Sequence, residues 1–164
     1  MSDNNEHYIT KYTKNKQNTQ KLQTPTAFSD AALGYADLGY AVLPLHTIVD
    51  GKCSCGDPNC GSPGKHPRTP HGVKDATANI DTINDWWTKW PNANIGIATG
   101  SVSGFFVLDV DGEEGKKSLE KLEAEHGPLP PTLETATGGG RHLLFIQPPG
   151  LTIKNKVRIA PGLD

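Results

Sequence analysis

Two aspartates follow an apolar run in the middle of the chain. Residues 105–112 read FFVLDVDG, so Asp109 and Asp111 stand one residue apart after four large apolar side chains. Side chains alternate along a strand, so both carboxylates face one way, about 7 Å apart at the backbone. Their repulsion is relieved either by a divalent cation or by open solvent. The pair therefore predicts a metal site or a solvated strand end.

A glycine-rich turn is followed directly by two basic residues. Residues 137–142 read TGGGRH and place Arg141 and His142 after three glycines. Bare backbone can approach a phosphate, and both side chains can donate to phosphate oxygens, although a simple hairpin turn has the same composition. Carboxylates, basic groups and this turn together indicate a metal-bound triphosphate. Two-metal phosphoryl transfer needs about three carboxylates, and Asp164 is the candidate third.

Four potential zinc ligands fall within fourteen residues of a loop rich in Gly and Pro. They are Cys53, Cys55, Cys60 and His66. Three thiolates and one imidazole are a common set for a closed, structural Zn2+ site. The spacing C-x-C-x4-C-x5-H is unusual, and His71 or His46 could replace His66. Free cysteines in an open loop are the alternative.

Three segments have the signals of helices. They are residues 29–39, 79–90 and 113–126. Ser29 is the expected N-cap of the first, Pro91 ends the second and Gly127 stops the third. The tryptophans of the second segment fit a core role better than base stacking.

Six segments have the signals of strands. They are residues 40–46, 94–100, 104–110, two within 132–146, and 153–164. The long loop at 50–72, which holds the cysteines, needs a function or a staple. Strands and helices mix without a strict repeat, which indicates the α+β (mixed α/β) class.

The last predicted strand carries three cations on one face. They are Lys154, Lys156 and Arg158. Charges of this kind protect a solvated edge strand from aggregation, and they can also contact the phosphates of a nucleic acid.

The composition limits the number of domains, the partners and the location that can be expected. The chain has 164 residues, 35% hydrophobic content and a net charge of -2, which suggest one domain without gross attraction to nucleic acid. Residues 1–27 are polar and predict a disordered tail, with the ordered domain at 28–164. Without a signal peptide or an apolar run of membrane-spanning length, the expected location is the cytoplasm, with no membrane partner.

The stretch from residue 28 to 164 resembles the N-terminal bifunctional DNA primase-polymerase domain of the archaeo-eukaryotic primase superfamily, found largely in plasmids, phages and integrated elements. The resemblance covers about five sixths of the chain. Six motifs carry it, in the family's order: GYAVLPLH, CSCGDPNCGSPGKHPRTPHGVKDAT, WWTKWPNANIGIATG, GFFVLDVDG, TGGGRHLLF and APGLD.

This resemblance implies roles for matching positions. Asp109 and Asp111 match a hydrophobic-Asp-x-Asp motif that binds catalytic Mg2+ or Mn2+. His142 matches a histidine that contacts the phosphates of the incoming nucleotide. Leu163 and Asp164 match a third motif, a hydrophobic residue followed by an aspartate that completes the catalytic set. The cysteine loop matches the family's zinc loop.

The resemblance also implies a fold and a function. The fold is a primase catalytic core with an RRM-like sheet and a zinc-binding loop. The activity is template-directed, two-metal nucleotidyl transfer on single-stranded DNA template and primer, with nucleoside triphosphates as substrates and a helicase, fused or separate, as partner. The family domain continues past its third motif, so the chain is expected to be incomplete at its C-terminus. A zinc-stabilised DNA-binding fragment without catalysis is the alternative, and a metal-dependent nuclease ranks below both.

Overall fold

Three α-helices and three small antiparallel sheets make up residues 26–164, the part of the chain that the computed structural model describes. This confirms the predicted α+β class. Most of the predicted tail, residues 1–25, lies outside the described residues. Of the other two residues assigned to that tail, Thr26 is the N-cap of the first helix and Ala27 is its first residue.

The elements follow one another in mixed order. The helices are α1 (Ala27–Asp37), α2 (Ile80–Lys89) and α3 (Gly112–His126), with a short 3-10 helix at Gly72–Asp75. The strands are β1 (Val42–Leu45), β2 (Ile48–Val49), β3 (Lys52–Cys53), β4 (Asn94–Ile97), β5 (Phe105–Asp111), β6 (Leu133–Ala136) and β7 (Gly140–Ile146). Each predicted helix is confirmed to within a few residues, and all but the last of the predicted strands are found.

A first lobe forms where α1 and α2 pack on the β1–β4 pair. The two strands are antiparallel, with Val42 opposite Ile97. Its buried core consists of Ala32, Ala36, Val42, Ile83, Trp87 and Ala93. Burial of Trp87 at 3% exposure confirms a core role for this tryptophan.

Thr26, and not Ser29, is the N-cap of α1. Its backbone is extended, and its Oγ1 accepts a hydrogen bond from the backbone N–H of Ser29. The same hydroxyl donates to the carbonyl oxygen of Pro91 at 3.0 Å, which ties α1 to the end of α2. Ser29 is itself buried, so the sequence signal was misplaced by three residues.

The N-cap of α2 supports a stability prediction. Asn79 Oδ1 accepts from the backbone N–H of Thr82 at 2.9 Å, which satisfies one of the unpaired donors of the first turn. Replacing Asn79 with alanine is expected to lower the free energy of unfolding by about 1 kcal/mol. Denaturant titration measures this. Thr88→Ala, at an exposed position of the same helix, is the matched control, and an equal fall in both variants would refute the capping role.

A second lobe consists of the sheet β5-β7-β6 and helix α3. Alternate residues of β5 and β7 face the helix and form its core. That core comprises Val110, Leu119, Leu143 and Leu163, with Leu108, Leu122, Phe145 and Ala160 packed against it. The opposite face of the sheet carries the odd-numbered residues of β5 and the even-numbered residues of β7.

The predicted strand at 153–164 is wrong. Residues 151–156 have no regular structure, and Arg158 has a φ of 57, which an extended strand does not allow. Instead, the free edge of β5 pairs with the last residues, through an antiparallel bridge between Val110 and Leu163. The supposed common face of Lys154, Lys156 and Arg158 therefore has no strand to support it.

The two lobes meet where the segment before β1 contacts the start of β5 and the residues just before it. The backbone N–H of Ala41 donates to Ser103 Oγ at 2.9 Å, and the rings of Tyr40 and Phe105 pack edge to face with centroids 5.1 Å apart. None of the described helices has the length and apolarity needed to cross a membrane.

Candidate functional site

The sheet face away from α3 carries the aspartate pair. Both residues lie in β5, where alternation puts Asp109 and Asp111 on the same side and Val110, buried against the helix, on the other. Asp111 is also the residue before α3, yet its side chain makes no capping hydrogen bond. Its exposed carboxylate is therefore free to bind a ligand.

His142 lies directly beside Asp109 on this face. The two residues are partners in the register of β5 and β7, and His142 Nε2 is 3.4 Å from Asp109 Oδ2. The His142 side chain is 41% exposed and that of Asp109 is 34% exposed. Strand pairing thus brings together two residues that are 33 positions apart in sequence.

Asp164 lies on the other side of Asp109. The backbone N–H of Asp109 donates to the carbonyl of Asp164 at 2.9 Å, and the N–H of Asp164 donates back to Asp109 at 3.1 Å. Residues that exchange both hydrogen bonds are direct neighbours, with Cα atoms about 5.5 Å apart and side chains on one face. The sequence predicted that Asp164 joins the pair, and the structure places it there.

One atom of this cluster has no protein partner. Asp109 Oδ1 is buried and makes no hydrogen bond with any of the described residues. A buried charged oxygen without a partner is costly, and neighbouring carboxylates raise that cost. Oxygen donors of this kind suit Mg2+ or Mn2+, so the residues present fit a divalent metal.

The glycine-rich turn closes over one end of this face. A Cβ at Gly140 would overlap the carbonyl oxygen of Val110, so only glycine permits this close pairing. The backbone N–H of Gly112 donates to the carbonyl of Gly139 at 2.9 Å, which holds the turn beside Asp111. Along the described chain, the N–H groups of Gly138 and Gly139 have no acceptor.

The four predicted zinc ligands form one cluster. The ligand atoms of Cys53, Cys55, Cys60 and His66 all lie within 4.8 Å of one another. Cys53 Sγ and His66 Nε2 are 3.4 Å apart, close to the roughly 3.5 Å that tetrahedral zinc geometry requires of a sulfur and a nitrogen ligand. The β2–β3 hairpin places Cys53 in this cluster, and the donor set fits Zn2+.

A thiolate at Cys53 is favoured by its surroundings. Burial alone would raise the pKa of this thiol, but hydrogen bonds from the backbone N–H groups of Cys55 and Gly64, together with those of the His66 and Cys55 side chains, outweigh burial and lower the pKa to about 6. The thiolate is the form that binds metal.

Ser54 links this cluster to the segment that follows β1. Its Oγ accepts from the backbone N–H of Thr47 at 3.0 Å and from Arg68 Nη2 at 2.7 Å, so its own proton is directed to Nδ1 of His46, 3.0 Å away. The His46 ring stacks on His66 with centroids 4.3 Å apart. Burial, with the positive charge of Arg68, lowers the pKa of His46, so the stacked ring is neutral near pH 7. His46 therefore packs against a ligand of the cluster.

The comparisons with known proteins agree with this arrangement. The family model of the bifunctional DNA primase/polymerase N-terminal domain matches residues 32–164. The chain belongs to this family. Neither the curated proteins nor the solved structures compared with the chain include a match. Membership in the primase/polymerase family implies DNA and nucleotides as substrates.

Arg141 lies on the other side of the primase/polymerase sheet from the carboxylates. It is paired with Val110, whose side chain faces α3, and its Nη1 is 3.1 Å from Glu134 Oε2. The sequence grouped Arg141 with His142, but consecutive strand residues point to opposite faces. The structure does not bring Arg141 to the predicted site.

Thr135 is a residue of this face that the sequence analysis missed. It lies opposite His142 in the pairing of β6 and β7. The row across the sheet is therefore Asp164, Asp109, His142 and Thr135. Only the register of the hairpin identifies Thr135, because its spacing from the other residues has no motif.

The three cations near the C-terminus are exposed. Lys154 and Lys156 lie in an irregular segment, and Arg158 follows between two bends. The backbone N–H of Arg158 donates to Asp164 Oδ1 at 2.5 Å, so this residue contacts the site through its main chain. Its guanidinium, like the two ammonium groups, is available to a phosphate backbone.

Proposed function

We propose that the chain carries out template-directed nucleotidyl transfer, as a DNA primase and DNA polymerase in the replication of a plasmid, phage or integrated element. One observation carries the proposal. Three carboxylates and a histidine from three separate stretches of backbone meet on one open sheet face, where the buried Asp109 Oδ1 has no partner among the described residues. Such a face suits a metal-bound triphosphate.

Asp109 is the central ligand in this proposal. It lies between Asp111 along the strand and Asp164 across it, so it is the residue best placed to serve two metal ions. When bound, Mg2+ or Mn2+ would lower the pKa of the attacking hydroxyl and would offset negative charge on the triphosphate. The chain itself holds the three carboxylates in register through strand hydrogen bonds.

His142 and the glycine-rich turn are proposed to bind the phosphates. The Asp109 carboxylate beside Nε2 holds the imidazole on the open face, where it can donate to a phosphate oxygen. A Cβ on Gly139 would lie 4.0 Å from Asp111 Oδ1, so the turn is close to the carboxylates, and the N–H groups of Gly138 and Gly139 are proposed as two further donors. Arg141 has no place in this set, because it faces α3.

Removing the imidazole tests this assignment. His142→Ala is expected to raise the KM for nucleoside triphosphate about tenfold to a hundredfold, the loss of one charge-assisted hydrogen bond. Steady-state incorporation at varied nucleotide measures it. His126→Ala, whose exposed side chain lies at the end of α3, should leave KM unchanged. An unchanged KM in both variants would remove His142 from the site.

The cysteine cluster is proposed to hold a structural Zn2+ ion. All four ligands come from the chain, so no position remains for substrate. Zinc would fix the loop that approaches the template or the initiating nucleotide. Lys154, Lys156 and Arg158 are proposed to contact the nucleic-acid backbone, and a helicase, fused or separate, is the expected partner.

Nucleotide incorporation on single-stranded DNA tests the proposal. The purified chain is given Mg2+ or Mn2+ and all nucleotides, with and without an annealed primer. Extension in both reactions, lost in Asp111→Ala, would support priming and polymerisation. Salt-dependent DNA binding without incorporation would contradict it and favour a DNA-binding role alone. Degradation of DNA without nucleotides would indicate a nuclease.

A further inference from the structure

The first turn of α3 contacts residues 160–164, the terminal segment, which carries Asp164. Gly115 is buried in this turn, and a Cβ added to it would overlap the carbonyl oxygen of Gly162. Gly162 has a φ of +67, and its own Cβ would lie 2.8 Å from both Gly115 Cα and the carbonyl oxygen of Asp111. Two glycines thus allow helix backbone and terminal backbone to meet directly.

Further contacts hold the terminal segment at the same place. Ser118, one turn further along α3, donates through Oγ to the carbonyl of Pro161 at 2.7 Å. Leu163 is 1% exposed in the core between α3 and the sheet. The backbone N–H of Asp111 donates to the carbonyl of Gly162 at 2.9 Å. The position of the segment along β5 is therefore set by α3 and by β5 together.

We propose that Gly115 is a positioning residue for the third carboxylate, with Ser118 as its support. The inference rests on the proposed function, because it assigns Asp164 to the metal site. Helix α3 begins directly after Asp111 and therefore fixes this aspartate through the chain. The same helix fixes Asp164 through the contact between Gly115 and Gly162. A side chain at position 115 would shift Asp164 along β5 or away from Asp109. Displacements near 1 Å are enough to weaken metal binding and to slow the reaction.

Gly115→Ala is the test variant. The obstacle to the new methyl group is backbone and not a flexible side chain, so the terminal segment has to move. Gly34→Ala is the matched control. Gly34 also lies in a helix, in the first lobe, and a Cβ there would meet nothing within 4 Å. Alanine at that position is expected to be neutral or stabilising.

The first readout needs neither metal nor activity. The amide protons of Asp109 and Asp111 are bonded to the carbonyls of Asp164 and Gly162, so their hydrogen exchange reports whether the segment is in place. Gly115→Ala is expected to accelerate both exchange rates by about tenfold or more, and Gly34→Ala to leave them unchanged. Equal rates in parent and Gly115→Ala would overturn the inference.

The second readout is the affinity for Mn2+, measured by calorimetry. In the parent chain, Gly115→Ala is expected to weaken Mn2+ binding about tenfold. In the Asp164→Ala background it should have no effect, because Gly115 acts through that carboxylate. Additive losses would mean a general structural effect and would overturn the inference. If Gly115→Ala does not fold, Ser118→Ala, which removes a hydrogen bond without adding volume, takes its place in both measurements.

Failure of the proposed function has a different signature. A parent chain that binds Mn2+ with this coupling but incorporates no nucleotide would contradict the polymerase assignment and leave the positioning role standing. A parent chain that incorporates nucleotide, with unchanged exchange in Gly115→Ala, would contradict the positioning role alone.

Discussion

Asp109→Asn is expected to lower nucleotide incorporation by about a thousandfold, which corresponds to about 4 kcal/mol of transition-state stabilisation. Asp109 is the residue that neighbours Asp111, Asp164 and His142 at once, so an amide there weakens every proposed metal contact. The fold should survive, because the backbone bonds of β5 do not involve the side chain. The melting temperature should not fall, since the substitution also reduces repulsion among carboxylates.

The control for this prediction is another aspartate outside the site. Asp85 is exposed on α2 in the first lobe, and Asp85→Asn makes the same chemical change there. It should leave single-nucleotide incorporation, measured at saturating metal, at the parent rate. Full activity in Asp109→Asn would show that the carboxylate row is not the catalytic site.

His66→Ala is expected to release the zinc and to lower the melting temperature by about 10 °C or more. Structural zinc contributes about 10–16 kcal/mol in small zinc-finger peptides, and even a fraction of that is a large share of a domain's stability. The effect should concentrate in the loop at 48–66, because all four ligands lie in this loop and none of them belongs to the buried core of the first lobe. Elemental analysis and thermal melts measure the two effects.

His71→Ala is the matched variant for this experiment. His71 was an alternative ligand by sequence, but its side chain is 76% exposed and its Nδ1 is 3.0 Å from Asp75. This variant should keep one zinc per chain and the parent melting temperature. Zinc retained after His66→Ala, or lost after His71→Ala, would show that the ligand set is wrong.

Local signals in the sequence were sufficient for the main elements and for the grouping of the residues in two motifs. The apolar run before Asp109 predicted the strand, and strand alternation alone put Asp109 and Asp111 on one face. The four candidate zinc ligands were recognisable because they are close in sequence. A short loop keeps such residues close together in space. Asp164, 53 residues after Asp111, was predicted from its motif and not from local physics.

The sequence failed where the outcome depends on long-range pairing. A cationic segment with alternating apolar residues was taken for a strand, but only residues near Leu163 find an edge of β5 to pair with. Arg141 and His142 were grouped because they are adjacent, although adjacency in a strand separates side chains. The contact between Gly115 and Gly162 involves no functional group and becomes visible only when the helix is packed on the sheet.

The most direct test of the central claim is a crystal structure of the chain soaked with Mn2+ and a nucleoside triphosphate, with anomalous scattering used to locate the metal. We predict manganese within coordination distance of Asp109 and Asp111, with Asp164 completing the set and the triphosphate extending toward His142. Manganese bound elsewhere, with these carboxylates left without metal, would contradict it.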